Sequence, residues 1–260
     1  MSASIDSRAR SDPAFSVESA PGTKLLPTLL SLVAGSVDVI GFLGLGGLFT
    51  AHITGNLVIL SAHIAGGGSA ALAPMLSVPV FIAALGLTRV LASGLEAIGF
   101  ASLVPLLGLQ LLLLTGFLAL CVGSGPPLDP EAPRAIVAGM LGVAAMAVQN
   151  ALVQVSLRGA PATAVMTSNI TRFVLDIGTV LLGREHDEIA SARIRARHAW
   201  PAIVGFAAGC ALGAICEVAI GLRALVLPVG LALSALMLGL SAKPNGGSSR
   251  PAPGFIGQAG

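Results

Sequence analysis

Apolar residues run along this chain in blocks, and its few charges fall mostly between them. Between Leu25 and Gly47 the one charge is Asp38, and between Leu72 and Gly94 it is Arg89. Gly99 to Gly123 and Ala135 to Leu157 carry none, Pro201 to Gly221 carries only Glu217, and Ala224 to Ala242 carries none. Each block is close to the ~20 residues with which a helix crosses ~30 Å of hydrocarbon. The pattern predicts an all-α polytopic membrane protein with six transmembrane helices.

Two more segments are apolar but broken by polar triplets. Leu48 to Ile64 is short and holds Thr54-Gly55-Asn56; Pro161 to Leu182 holds Thr167-Ser168-Asn169 together with Arg172 and Asp176. Setting Ile53–Leu57 against Met166–Ile170 brings Asp38 within a residue or so of Asn150, and Pro79 and Pro201 then open the next span of each half. A two-fold internal repeat is expected, with halves at about residues 28–122 and 135–241. If the broken segments re-enter and leave on one side, the chain crosses six times and the halves are inverted. If they cross, it crosses eight times and the halves are parallel. The shortness of the first segment and its Gly-Asn pair favour re-entry.

Composition agrees with this class: 55% of residues are hydrophobic and 10% charged, and the mean hydropathy is +0.91. The chain is too apolar for a soluble domain, and a net charge of +2 gives no support to nucleic-acid binding. Residues 1–24 read as a disordered tail and 242–260 as a flexible one, with a single transmembrane domain over 25–241. The arginines of the 183–198 loop, Arg193, Arg195 and Arg197, place that loop in the cytoplasm, which puts both termini there. Whether the loop also binds anionic lipid stays open; setting orientation is the expected role.

Asp38 lies mid-span, where a carboxylate costs on the order of 2.5–3.5 kcal/mol and must find donors or stay protonated. It reads as a cation or proton site, or as a hydrogen bond tying the first span to the broken segment. Thr54, Gly55 and Asn56 offer a hydroxyl, a pliable backbone and an amide, which can replace a solute's hydration shell or cap a half-helix. Thr167, Ser168 and Asn169 carry the same two readings. Gln149 and Asn150 gain interest from their match to Asp38, whereas amides inside a span otherwise bond across helices. Arg172 and Asp176, four apart, are expected to pair along one helix face. His52 and His63 flank the first triplet without a metal-ligand pattern and read as solvated segment ends. Cys121, Cys210 and Cys216 read as small packing residues. Gly205, Gly209 and Gly213 form a small-residue ladder for helix packing or for contact between copies of the chain. No cofactor, metal site or enzyme motif is found in the sequence.

The run Gly35-Ser36-Val37-Asp38, Gly41-Phe42, Gly46-Gly47-Leu48-Phe49-Thr50 and Thr54-Gly55-Asn56-Leu57 resembles the signature of the YoaK-like family. Gln149-Asn150-Ala151 and the Thr167 triplet resemble that family's second motif, in which Thr-Gly is commoner, so Ser168 is a departure. The likeness runs from about Leu25 to Leu240. It implies a multi-pass protein of the bacterial inner membrane, in a family classed as a domain of unknown function, and no particular substrate. The expected role is a small channel or secondary transporter for an uncharged or cationic solute, with Asp38 suited to proton coupling. The other reading is a non-transporting scaffold or accessory subunit.

Overall fold

A computed structural model describes residues 21–66, 72–123, 129–157 and 159–241. Among these residues every regular element is a helix: α1 (Pro21–Gly44), α2 (Ile53–Ala65), α3 (Leu72–Ala97), α4 (Leu103–Val122), α5 (Pro133–Ser156), α6 (Met166–Leu182), α7 (His186–Ile220) and α8 (Val226–Ser241). A 3₁₀ turn at Gly221–Leu225 joins α7 to α8. The tails expected at 1–24 and 242–260 fall outside the described residues, except that Pro21–Lys24 belong to α1.

Helix ends follow local chemistry. Gly46 and Gly47 take positive φ (65° and 88°) and turn the chain out of α1, a conformation that a Cβ would oppose. Pro133 opens α5 at a position where its missing N–H costs nothing. Gly221, at φ 61°, ends α7.

Five helical stretches are long and apolar enough to cross a membrane. The sequence suggested six; the last two expected spans, 201–221 and 224–242, lie within one helical run from His186 to Ser241. That run does not continue in one direction. Gly205 meets Thr28, Gly209 meets Leu32 and Gly213 meets Ser36, so α7 ascends beside α1 in the same sense. Leu222 lies against Gly44 and Ala224 and Leu225 belong to the buried cluster of Val37 and Ile40, whereas Ala235 belongs to that of Leu26 and Leu30. The chain therefore folds back at Gly221, and α8 descends along α1.

Helices α4 and α5 form an antiparallel hairpin: Gln110 meets Gln149, Phe117 faces Gly142, and Arg134 Nε donates to the Leu120 carbonyl at 3.1 Å. α1 and α5 are the interior helices, with 61% and 67% of their most apolar window buried, against 17% for α3. The apolar exterior of α3 (Ile82, Leu87 and Val90 among others) is what a lipid-facing helix presents. Lipid is as apolar as these side chains, so helix association rests on close packing. The glycines of α7 supply it by letting α7 lie against the backbone of α1. α2 packs on α3, and α6 on α7.

A buried Asp–His pair at an aromatic cleft

After α1 the chain returns on itself, so that residues 50–52 come level with Asp38 rather than with the helix end. The buried Asp38 carboxylate collects them. Its Oδ1 accepts from the backbone N–H of Thr50 (2.8 Å) and Ala51 (2.7 Å), with longer contacts to the His52 N–H and the Thr50 hydroxyl, each at 3.4 Å. Its Oδ2 lies 2.6 Å from His52 Nδ1. Successive backbone N–H groups turned onto one carboxylate offset the cost of placing it in the bundle. As a carboxylate Asp38 accepts, so Nδ1 carries the hydrogen and Nε2 is left as the ring's acceptor.

Asn56, fully buried in the first turn of α2, fixes the same loop from the other side. Its Oδ1 accepts from the Phe49 N–H at 2.9 Å, and its Nδ2 donates to the Phe49 carbonyl at 2.7 Å and to Ser77 Oγ at 2.9 Å. Gly55 lies under the Phe49 ring, where a Cβ would sit 2.8 Å from Cδ2. Thr54 is exposed.

These elements leave a cleft of about 520 Å³ bordered by Asp38, His52, Thr54 and Gly55, with Phe42, Phe49 and Phe206 as aromatic walls. The Phe42 and Phe49 ring centres are 4.7 Å apart, and His52 lies edge-on to Phe206 at 5.5 Å. The lining is mostly apolar, and His52 is its half-exposed polar group beside the buried carboxylate. Cys210 also borders it.

The second triplet builds a smaller relative of this arrangement. Asn169 Nδ2 donates to the Ala162 carbonyl at 2.6 Å, again seven residues back. Gln149, fully buried, donates through Nε2 to Thr163 Oγ1 (2.8 Å) and to the Leu30 carbonyl (2.9 Å), and accepts from Gln110 Nε2 (2.7 Å). Gln110 Oε1 is buried and has no donor among the described residues. The residue reaching the loop is thus Gln149 and not Asn150, whose Nδ2 turns back to the Met146 carbonyl of its own helix at 2.8 Å. Thr167 and Ser168 are exposed. None of Gln149, Asn150, Thr167, Ser168 or Asn169 borders the cleft at Asp38. Leu30 is eight residues before Asp38 on α1, about 12 Å along the helix, so the two polar clusters sit at separate levels.

Two expectations change, for Asp176 and for His52. Asp176 pairs with Arg195 of α7, at 2.9 Å from Nε and 2.6 Å from Nη2, and not with Arg172 of its own helix. Its buried carboxylate faces α7, while Arg172 is exposed. His52 is no solvated end, since Asp38 holds it; His63 is exposed. Gly205, Gly209 and Gly213 are buried within the chain against α1. The sequence reading gave His52 no part in the site and passed over Ser77, Gln110 and Thr163. A usable signal was present, because Thr50-Ala51 before the first triplet recurs as Thr163-Ala164 before the second in the same register as Asn56 and Asn169.

A family model described as Protein of unknown function (DUF1275) matches residues 26–238. The chain belongs to that family. Among curated proteins it is similar to the UPF0700 transmembrane protein YoaK of Bacillus subtilis (strain 168), with 59% identity over 39 residues. That match covers 15% of this chain and 17% of the relative. No solved structure matches. Together with the apolar helices, the DUF1275 membership and the relative's name make this a multi-pass membrane protein.

Proposed function

We propose that this DUF1275 protein is a small proton-coupled carrier, with the Asp38–His52 pair as its proton site and the aromatic cleft as its solute site. The observation that carries this reading is a histidine held by a buried carboxylate and bordering a cleft of about 520 Å³. Intramembrane ionisable groups face solute and proton paths, and histidine changes charge near neutral pH. With all the hydrogen-bond donors on Asp38 coming from its own loop, His52 Nε2 takes the role that the sequence suggested for Asp38 itself. The apolar walls favour a small uncharged or cationic solute with an apolar body. No bond-making chemistry is part of this reading.

The chain path supports six crossings with inverted halves; the bacterial inner membrane and cytoplasmic termini belong to the same proposal and rest on the family resemblance and on Arg193, Arg195 and Arg197. Residues 50–52 lie level with Asp38, six residues inside the end of α1, and α2 then packs on α3, with Asn56 near Ser77. Thr163 lies level with Gln149, seven residues inside the end of α5, and α6 then leads to the charged start of α7. α5 runs opposite to α1, so the two loops dip from opposite sides. Broken segments of this kind are where carriers place their sites, and here the first of them borders the cleft while the second stands apart.

Reconstitution in liposomes loaded with a pH-sensitive dye tests the function. A panel of small uncharged and cationic aromatic solutes is expected to include one that changes internal pH with the wild-type protein and not with H52Q of equal folded yield. One observation favours a scaffold instead: Asp38 and Asn56 make all their hydrogen bonds to the loop and its neighbours. If no solute moves protons and D38N, N56A and H52Q all lose thermal stability alike, the scaffold reading replaces the carrier.

A further inference from the structure

A second cleft, of about 310 Å³, lies between α6 and α7, bordered by Phe173, Ile177 and Val180 on one helix and Arg193, Arg197 and Trp200 on the other. Arg195, between the two arginines in sequence, is neutralised by the buried Asp176. Arg193 and Arg197 have no hydrogen bond or ion pair of their own among the described residues, and no carboxylate stands three or four residues from either on α7. Like charges four apart on a helix repel and destabilise it. An anion lying between them would remove that cost and receive two guanidinium forks.

The depth of the cleft identifies the anion. Trp200 stands where the charged part of α7 gives way to the apolar part that begins at Pro201, and tryptophan prefers the membrane–water interface. Arg197 and Arg193 then lie about 4.5 and 10.5 Å farther out along the helix at 1.5 Å per residue, with the gap between them about 7.5 Å out. Phospholipid headgroups add roughly 5–7 Å to each side of the hydrocarbon, so Arg197 stands among them and the gap between the two arginines opens at their outer edge. Phe173, Ile177 and Val180 form the facing wall at the same depth. We propose that this cleft is a binding site for the headgroup of an anionic phospholipid, its phosphate between Arg193 and Arg197. Basic pockets between membrane helices take such headgroups.

Trp200 is the protein's single tryptophan, so its fluorescence reports on this cleft alone. The full chain is reconstituted with phosphatidylcholine containing about ten mole per cent of a brominated-chain lipid, either phosphatidylglycerol or phosphatidylcholine. Brominated phosphatidylglycerol is expected to quench Trp200 at least threefold more than brominated phosphatidylcholine. In R193Q/R197Q, at exposed positions and compared at gel-filtration elution equal to wild type, the two lipids are expected to quench alike. Equal quenching in the wild type, or a preference that survives the double variant, overturns the site. Loss of the preference on adding millimolar inorganic phosphate at constant ionic strength would assign the arginines to a soluble anion and overturn the lipid.

Discussion

Asn56 satisfies the backbone of a single residue, holding both the N–H and the carbonyl of Phe49 while also bonding Ser77. Asn169 makes one such bond, to Ala162. A buried donor or acceptor left unpaired costs about 1–3 kcal/mol, although bonds inside membrane bundles average nearer ~0.6 kcal/mol because the unfolded chain finds partners too. N56A is accordingly expected to lower stability by about 2 kcal/mol and N169A by about 1 kcal/mol, measured as denaturant unfolding in detergent. A loss at N169A equal to or larger than that at N56A would contradict this ranking. Asp38 and both asparagines stood out in the sequence because polar atoms in apolar runs are costly. His52 did not. Its pairing with Asp38 exists only after residues 45–52 fold back along α1, a tertiary event with no local periodicity to announce it.

The contact between α1 and α7 shows how glycine position decides an element's fate. A Cβ on Gly209 would collide with the Leu32 carbonyl, and one on Gly205 would sit 2.7 Å from the Thr28 carbonyl. Nothing lies within 4 Å of a Cβ built on Gly86 or Gly108, both on lipid-facing helices. G209A is expected to separate the helices and cost at least the 1–3 kcal/mol typical of overpacking. G86A is expected to be neutral or stabilising by up to about 1 kcal/mol through helix propensity. Thermal melting of the two variants side by side checks this, and a neutral G209A would show that α7 does not need this approach. The small-residue ladder was visible in the sequence, but its partner was not: 3.6-residue spacing gives a face and not what the face meets. Helix boundaries were read less well. α7 extends to His186 well beyond its apolar stretch, because the pairing of Arg195 with the buried Asp176 anchors the charged turns against α6.

At the scale of the whole molecule, the proposed six-crossing path puts the 65–72 and 122–133 connections on one side of the membrane and the 97–103 and 182–186 connections on the other. Cys121, Cys210 and Cys216 are replaced first, and single cysteines are then placed at the exposed positions Ala65, Glu131, Glu96 and Glu185. An impermeant thiol reagent added outside intact cells is expected to label A65C and E131C and to spare E96C and E185C. Labelling at E96C without A65C would mean that α2 crosses, and the inverted arrangement would fall. Multi-span character was legible from hydropathy alone. The sense of each helix was not, since the arginine distribution fits either crossing number nearly as well.

The side-by-side ascent of α1 and α7 also sets a timetable for biosynthesis. About 177 residues separate Ser36 from the Gly213 that meets it, which at about 5–20 residues per second is roughly 9–35 s of translation. Asp38 need not wait so long, because its acceptor capacity is taken up by residues 50–52 almost as soon as they emerge. The first helix can therefore enter the bilayer with its charge already cared for but its groove for the seventh still vacant. Nascent chains stopped before Pro201 would leave that groove open to lipid, and they would be the form most exposed to membrane quality-control proteases.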